Sequence, residues 1–171
     1  MVMTSTSISR ISPEVWALYE QSFSEEEKIP LANFKRAMEK GAVLNVFSES
    51  WRFIGFTFSF IDGDRMFLVY FATKPHLRGK GFGSQIISEL RYMYPDKRIF
   101  LVTEPKDPEA SDYELRVRRQ NYYLRNGCKE TGIKVLSDDA WFDTMFVKGE
   151  LTEQEMLDTI RKYEDIHNGR V

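Results

Sequence analysis

The sequence predicts a single mixed α+β domain: a mostly antiparallel sheet with one parallel strand pair and helices on both faces. Three observations carry that expectation. The length of 171 residues is that of one domain with one core. Apolar residues make up 42%, charged residues 29% and aromatic residues 14%, which supplies a core and favours strands packed under helices. Finally, period-two and helical patterns alternate along the chain, and one strand–helix–strand passage demands a crossover and hence a parallel pair. No linker or repeat divides residues 1–171, and 150–171 reads as a C-terminal helical extension of the same domain.

The elements follow in order. Ser12-Pro13-Glu14 places a capping hydroxyl before a proline at the first helical position, and Trp16, Leu18 and Tyr19 continue a short helix to about Phe23. Glu25, Glu26, Glu27 and Lys28 form a charged connection that reads as a solvated loop or as the border of an amine site. Leu31, Phe34 and Met38 mark a second helix that stops at Gly41. Leu44 and Val46 flank Asn45 in a strand. Phe56, Phe58 and Phe60 alternate through the next, with Phe53 out of phase and Gly55 where a bulge restores one buried face. Asp62-Gly63 is a hairpin turn, and Met66 to Ala72 is the returning strand.

Ile86, Ile87, Leu90 and Met93 recur at helical spacing between about Gly81 and Tyr94, and Pro95 ends that helix. Ile99 to Thr103 is a strand parallel to Met66–Ala72. Asp112 to Asn126 reads as helix closed by Gly127, followed by strands near Glu130–Leu136 and Trp141–Val147 and an acidic helix from Thr152. With six acids and two bases between Glu150 and Asp165, that last segment is a solvated face or the contact of a homodimer.

Charge and special residues exclude several classes. Net charge is −2 with pI near 5.8, without the basic footprint of a nucleic-acid binder. One cysteine, Cys128, forms no internal disulfide, and His76 and His167 give no metal-ligand spacing, so no metal is expected and the compartment is reducing. The N-terminus has no basic patch followed by an apolar core, and no stretch reaches membrane-spanning length, so the expectation is a cytoplasmic chain without a membrane partner.

The informative run is Thr73-Lys74-Pro75-His76-Leu77-Arg78-Gly79-Lys80-Gly81-Phe82-Gly83-Ser84, between a strand and a helix. Glycines at 79, 81 and 83 let the backbone approach a bulky anion, and amides opening the helix point outward to bind it. Arg78 and Lys80 add positive charge suited to several phosphates. A Rossmann pattern from Gly79 would need glycine at Ser84, and a P-loop ending at Gly79-Lys80 would need one at Lys74; both fail. A tight turn without ligand explains one glycine but not three beside two cations.

Arg78-x-x-Gly81-x-Gly83, after a strand and before an amphipathic helix, resembles the acyl-CoA diphosphate loop of the GNAT superfamily of N-acetyltransferases. Tyr122-Tyr123-Leu124-Arg125-Asn126-Gly127-Cys128 is similar to the family's helix-ending tyrosine–glycine–aromatic pattern, and the resemblance spans about Trp51 to Val147. The chain departs from the pattern at Cys128, where the family often has Phe, and at Arg116, where it often has Asn. Cys128 reads as a small core residue.

The resemblance implies an acetyl-CoA-dependent N-acetyltransferase acting on a primary amine of a small molecule or peptide, without a covalent enzyme intermediate. The competing class is a non-catalytic acyl-CoA-binding sensor or interaction module. It implies that the parallel strands splay around the cosubstrate, that the main chain at Phe71, Ala72 and Thr73 binds its pantetheine amides, and that amides from Arg78 through Gly79, Lys80, Gly81, Phe82, Gly83 and Ser84 hold its diphosphate. Acyl transfer to an amine needs a base and an acid. Tyr123 aligns with the family's tyrosine acid, the favoured reading over an amphipathic core residue. Glu104 reads either as the base, directly or through water, or as an exposed carboxylate opening a Glu-Pro loop. Asp143 and Glu25–Glu27 are lesser candidates for attracting a cationic acceptor, and His76 sits on the exposed turn before the loop.

Overall fold

The computed structural model describes residues 3–171. Among them, seven strands form one sheet: β1 (Met3–Ile8), β2 (Ala42–Glu49), β3 (Arg52–Asp62), β4 (Arg65–Thr73), β5 (Arg98–Thr103), β6 (Lys129–Ser137) and β7 (Ala140–Lys148). Their spatial order is β1-β2-β3-β4-β5-β7-β6, and β4–β5 is the one parallel pair, as the crossover required. The helices are α1 (Pro13–Ser22), α2 (Leu31–Glu39), α3 (Phe82–Met93), α4 (Tyr113–Arg125) and α5 (Glu153–His167). The cap read from the letters is formed, Ser12 accepting from the Val15 amide at 3.3 Å, and the last helix is capped by Thr152, which accepts from the Glu155 amide at 3.1 Å.

Both faces of the sheet are covered. On one, α1, α2 and α5 close over Phe53, Phe56, Phe58 and Phe60, with Phe34 stacked on Phe58 at a ring separation of 3.9 Å. On the other, Ile86, Ile87 and Leu90 of α3 and the tyrosines of α4 pack over β2–β5 and β7. The bulge expected near Gly55 lies at Ile54: Phe47 pairs with Gly55 but Ser48 with Phe53. The extra residue brings Phe53 into phase with the other phenylalanines and turns Ile54 to the α3 side.

Strand β1 has no counterpart in the sequence reading. It carries Thr4, Ser5, Thr6 and Ser7 and lies at the sheet edge against β2 alone, so main-chain pairing rather than apolar alternation holds it. The C-terminal helix buries Met156, Ile160, Tyr163 and Ile166 in the principal core, so its acids line the solvated side of a helix that belongs to the same packed unit. No helix among the described residues is long and apolar enough to cross a membrane.

Candidate active site

The parallel strands are paired only at Arg65–Arg98, Met66–Ile99 and Phe67–Phe100. Beyond that point β4 is bent by a bulge at Val69, because Phe58 of β3 pairs with Tyr70 while Ser59 pairs with Leu68. Strand β5 is held on its other side by β7, through Leu101–Met145, Val102–Thr144 and Thr103–Asp143. One strand therefore bends away while the other stays, and a gap opens along Leu68–Thr73. Phe71, Ala72 and Thr73 border it, and their main chain has no ladder to β5.

The glycine-rich segment stands at the end of this gap. Pro75–Leu77 makes a 3₁₀ turn anchored by buried Leu77, and the Arg78 amide donates to the Pro75 carbonyl at 3.3 Å, so it is turned inward. Gly79 and Gly81 have φ of 78° and 86°, in the left-handed region, and a Cβ on either would meet nothing within 4 Å. Gly81 caps α3 without a side-chain partner. The amides of Phe82, Gly83 and Ser84 thus begin a helix that leaves them without intrahelical acceptors. With exposed Arg78 and Lys80 beside them, these donors form a positively charged turn.

Gly83 differs from its neighbours. A Cβ there would lie 2.1 Å from Tyr122 Oη and 3.6 Å from Phe71 Cζ, so the space its missing side chain leaves is filled by the α4 tyrosine. Burial pushes the Tyr122 phenol up to about 12, against the opposing effect of a hydrogen bond with Ser84.

Tyr123 is half-buried, with its ring T-shaped to that of Tyr122 at 5.6 Å. Burial holds its phenol above the usual tyrosine range, opposed in part by the Arg119 charge. Its place is fixed by the helix terminator. Gly127 has φ 81°, its amide donates to Leu124 O at 3.2 Å, and the Cys128 amide donates to Tyr123 O at 3.0 Å, which is a Schellman closure. The resemblance at Tyr123–Gly127 is thus the sequence of that closure. Cys128 is buried with Arg91 Nη2 at 3.7 Å from its Sγ, and burial raises its thiol, which is the core role expected for it.

Glu104 lies just past β5 and is gripped by two guanidiniums, Arg116 Nη2 at 2.7 Å and Arg119 Nη1 at 3.4 Å. Arg116, at the position where the family often has Asn, also reaches Asp112 at 2.8 Å and the Pro105 carbonyl at 3.2 Å, bracing the loop onto α4. Asp143 accepts from Lys134 at 2.7 Å and from Gln120 Nε2 at 3.1 Å. Gln120 is missing from the sequence reading. It is buried, and its amide also donates to the Glu104 carbonyl at 3.0 Å, tying α4 to β5 and β7; its position three residues before Tyr123, on the inward side of an otherwise charged helix, is the only signal. The Glu25–Glu27 cluster is a turn with its own ion pairs: Lys28 binds Glu25 at 2.6 Å and Glu20 at 2.9 Å, Glu27 accepts from the Ser24 amide at 3.0 Å, and its carbonyl accepts from the Tyr70 hydroxyl at 2.6 Å. His76 is exposed, as expected.

No family model and no curated protein matches the chain. Solved structures do. A protein assigned to the GNAT acetyltransferase family from Bacteroides thetaiotaomicron superposes with a TM-score of 0.69 at 22% identity, covering 89% of this chain and 88% of its own. An aminoglycoside 6′-N-acetyltransferase complexed with coenzyme A gives 0.64 at 15% identity, covering 89% and 100%. A Bacillus subtilis acetyltransferase in complex with CoA gives 0.61 at 11% identity, covering 87% and 100%. The architecture built above, a seven-stranded, mostly antiparallel sheet with one parallel pair and helices on both faces, is the fold of the GNAT acetyltransferases.

Proposed function

We propose that the chain is an acetyl-CoA-dependent N-acetyltransferase that passes the acetyl group directly to a primary amine of a small molecule or peptide. The observation that carries this reading is the gap between β4 and β5, bordered at one end by the outward amides of α3 and facing the α4 tyrosines. Amides from Gly79 to Ser84, with Arg78 and Lys80 adding charge, hold a diphosphate, and the main chain of Phe71, Ala72 and Thr73 takes the place of a ladder partner for the pantetheine amides. An amide of that strand also stabilises negative charge on the thioester carbonyl. Coenzyme A in two structures of the same fold supports the choice of donor.

Tyr123 supplies the proton for the departing thiolate. Its raised phenol keeps that proton across ordinary pH, as a general acid requires. The amine must lose one, and we assign it through a water to Glu104, whose two arginine partners must loosen as it accepts. The single cysteine is buried and has no cysteine in the chain to pair with, in keeping with a cytoplasmic location.

Release of free CoA from acetyl-CoA over a panel of polyamines, aminoglycosides, amino acids and peptides tests this reading. Acceptor-dependent release supports it. The ion pairs that occupy Glu104 and Asp143 favour one alternative, a non-catalytic acyl-CoA-binding module, for which acetyl-CoA binds tightly and no acceptor releases CoA.

A further inference from the structure

We propose that Tyr122 is a gate over the donor channel, a side chain that is displaced when the donor binds. This rests on the donor site proposed above and goes beyond it by naming a residue that controls admission.

Gly83 is the second residue of α3 and its φ is not positive, so its backbone conformation does not require glycine. What occupies the place of a side chain there is Tyr122: a Cβ at 83 would stand 2.1 Å from the phenol oxygen and 3.2 Å from Cζ. The same point lies 3.6 Å from Phe71 on the gap edge of β4. The phenol therefore reaches from α4 to the start of α3 and lies beside Phe71, while its ring stands 5.6 Å from that of Tyr123. An arm running from a diphosphate on α3 past Phe71 toward Tyr123 would meet this side chain. Tyr122 is half-buried, and beside its ring contact with Tyr123 and the apolar cluster its phenol carries a hydrogen bond with Ser84, so rotation of one side chain clears the path without moving a helix.

The energetic consequence is a conformational cost on binding. Apparent affinity is the intrinsic affinity multiplied by the open fraction, so a variant that cannot close binds more tightly and faster. Stopped-flow binding of CoA to the wild type, Tyr122→Ala and Tyr122→Leu measures this. Leu keeps an apolar contact on α4 but is too short to reach Gly83, and serves where Ala fails to fold. The expected result is an association rate raised by about threefold or more in a folded variant, with a lower Kd. A folded variant that associates at the wild-type rate overturns the gate and leaves the donor site standing. If the wild type and both variants all fail to bind CoA, the donor site itself is wrong and the gate falls with it.

Discussion

Replacing Gly55 by alanine tests how the gap is built. Gly55 stands beside the β3 bulge and pairs with Thr73 at the end of β4. A Cβ there would lie 2.4 Å from the Ala72 carbonyl oxygen and 3.1 Å from Thr73 Cα. Ordinary contact begins at 3.4 Å, so the conflict is about 1 Å, and the atoms that must yield are main chain rather than a side-chain tip. Two effects follow from one displacement. Overpacking of this kind costs about 1–3 kcal/mol of stability. The moved main chain is also the segment assigned to the pantetheine amides, where misplacement by about 1 Å costs on the order of 100-fold in rate. Urea unfolding reads the first, and CoA titration calorimetry with initial rates reads the second. A Gly55→Ala chain with unchanged stability, CoA affinity and rate would refute the claim that the end of β4 is fixed by its contact with β3.

Other perturbations separate structure from chemistry. Tyr123→Phe should leave donor binding unchanged and lower kcat by about 10²-fold or more, and wild-type activity should keep its alkaline limb above pH ~10, because burial raises the phenol; an unchanged kcat removes the acid assignment. His167 is buried with Nδ1 unpartnered, and burial lowers its pKa. The unfolded chain therefore takes up that proton first as pH falls below about 6.5, and stability should drop there. His167→Phe should flatten the acid side of a plot of Tm against pH, and an unaltered slope contradicts the assignment. Trp51 is fully exposed at the β2–β3 turn with φ 67°. Trp51→Gly should stabilise the fold by about 0.5–1 kcal/mol in denaturant titration, since glycine takes that conformation without side-chain strain; a loss of stability argues that the tryptophan has a partner.

Much of this architecture is legible in the letters because its elements follow local rules. Asp62-Gly63 turns the β3–β4 hairpin, Ser12 caps its helix, and the phenylalanines of β3 alternate except where one extra residue resets their phase. Strand β1 was illegible because an edge strand of serines and threonines has no apolar period. The loop is legible for the same local reason: the left-handed conformations of Gly79 and Gly81 demand glycine. The surroundings of Gly83 are not, because the side chain that fills its space sits on α4, thirty-nine positions away in sequence, and only the packing of Tyr122 reveals it. Gln120 and the arginine pairs of Glu104 are hidden likewise, since hydrogen bonds between elements leave no period behind.

The most direct test is a crystal structure of the chain grown with acetyl-CoA. The account predicts a diphosphate within hydrogen-bonding distance of the amides at Phe82, Gly83 and Ser84, the pantetheine beside Phe71–Thr73, and the thioester sulfur facing the Tyr123 hydroxyl. A nucleotide bound elsewhere, or this turn closed by Tyr122 at saturating acetyl-CoA, would contradict it.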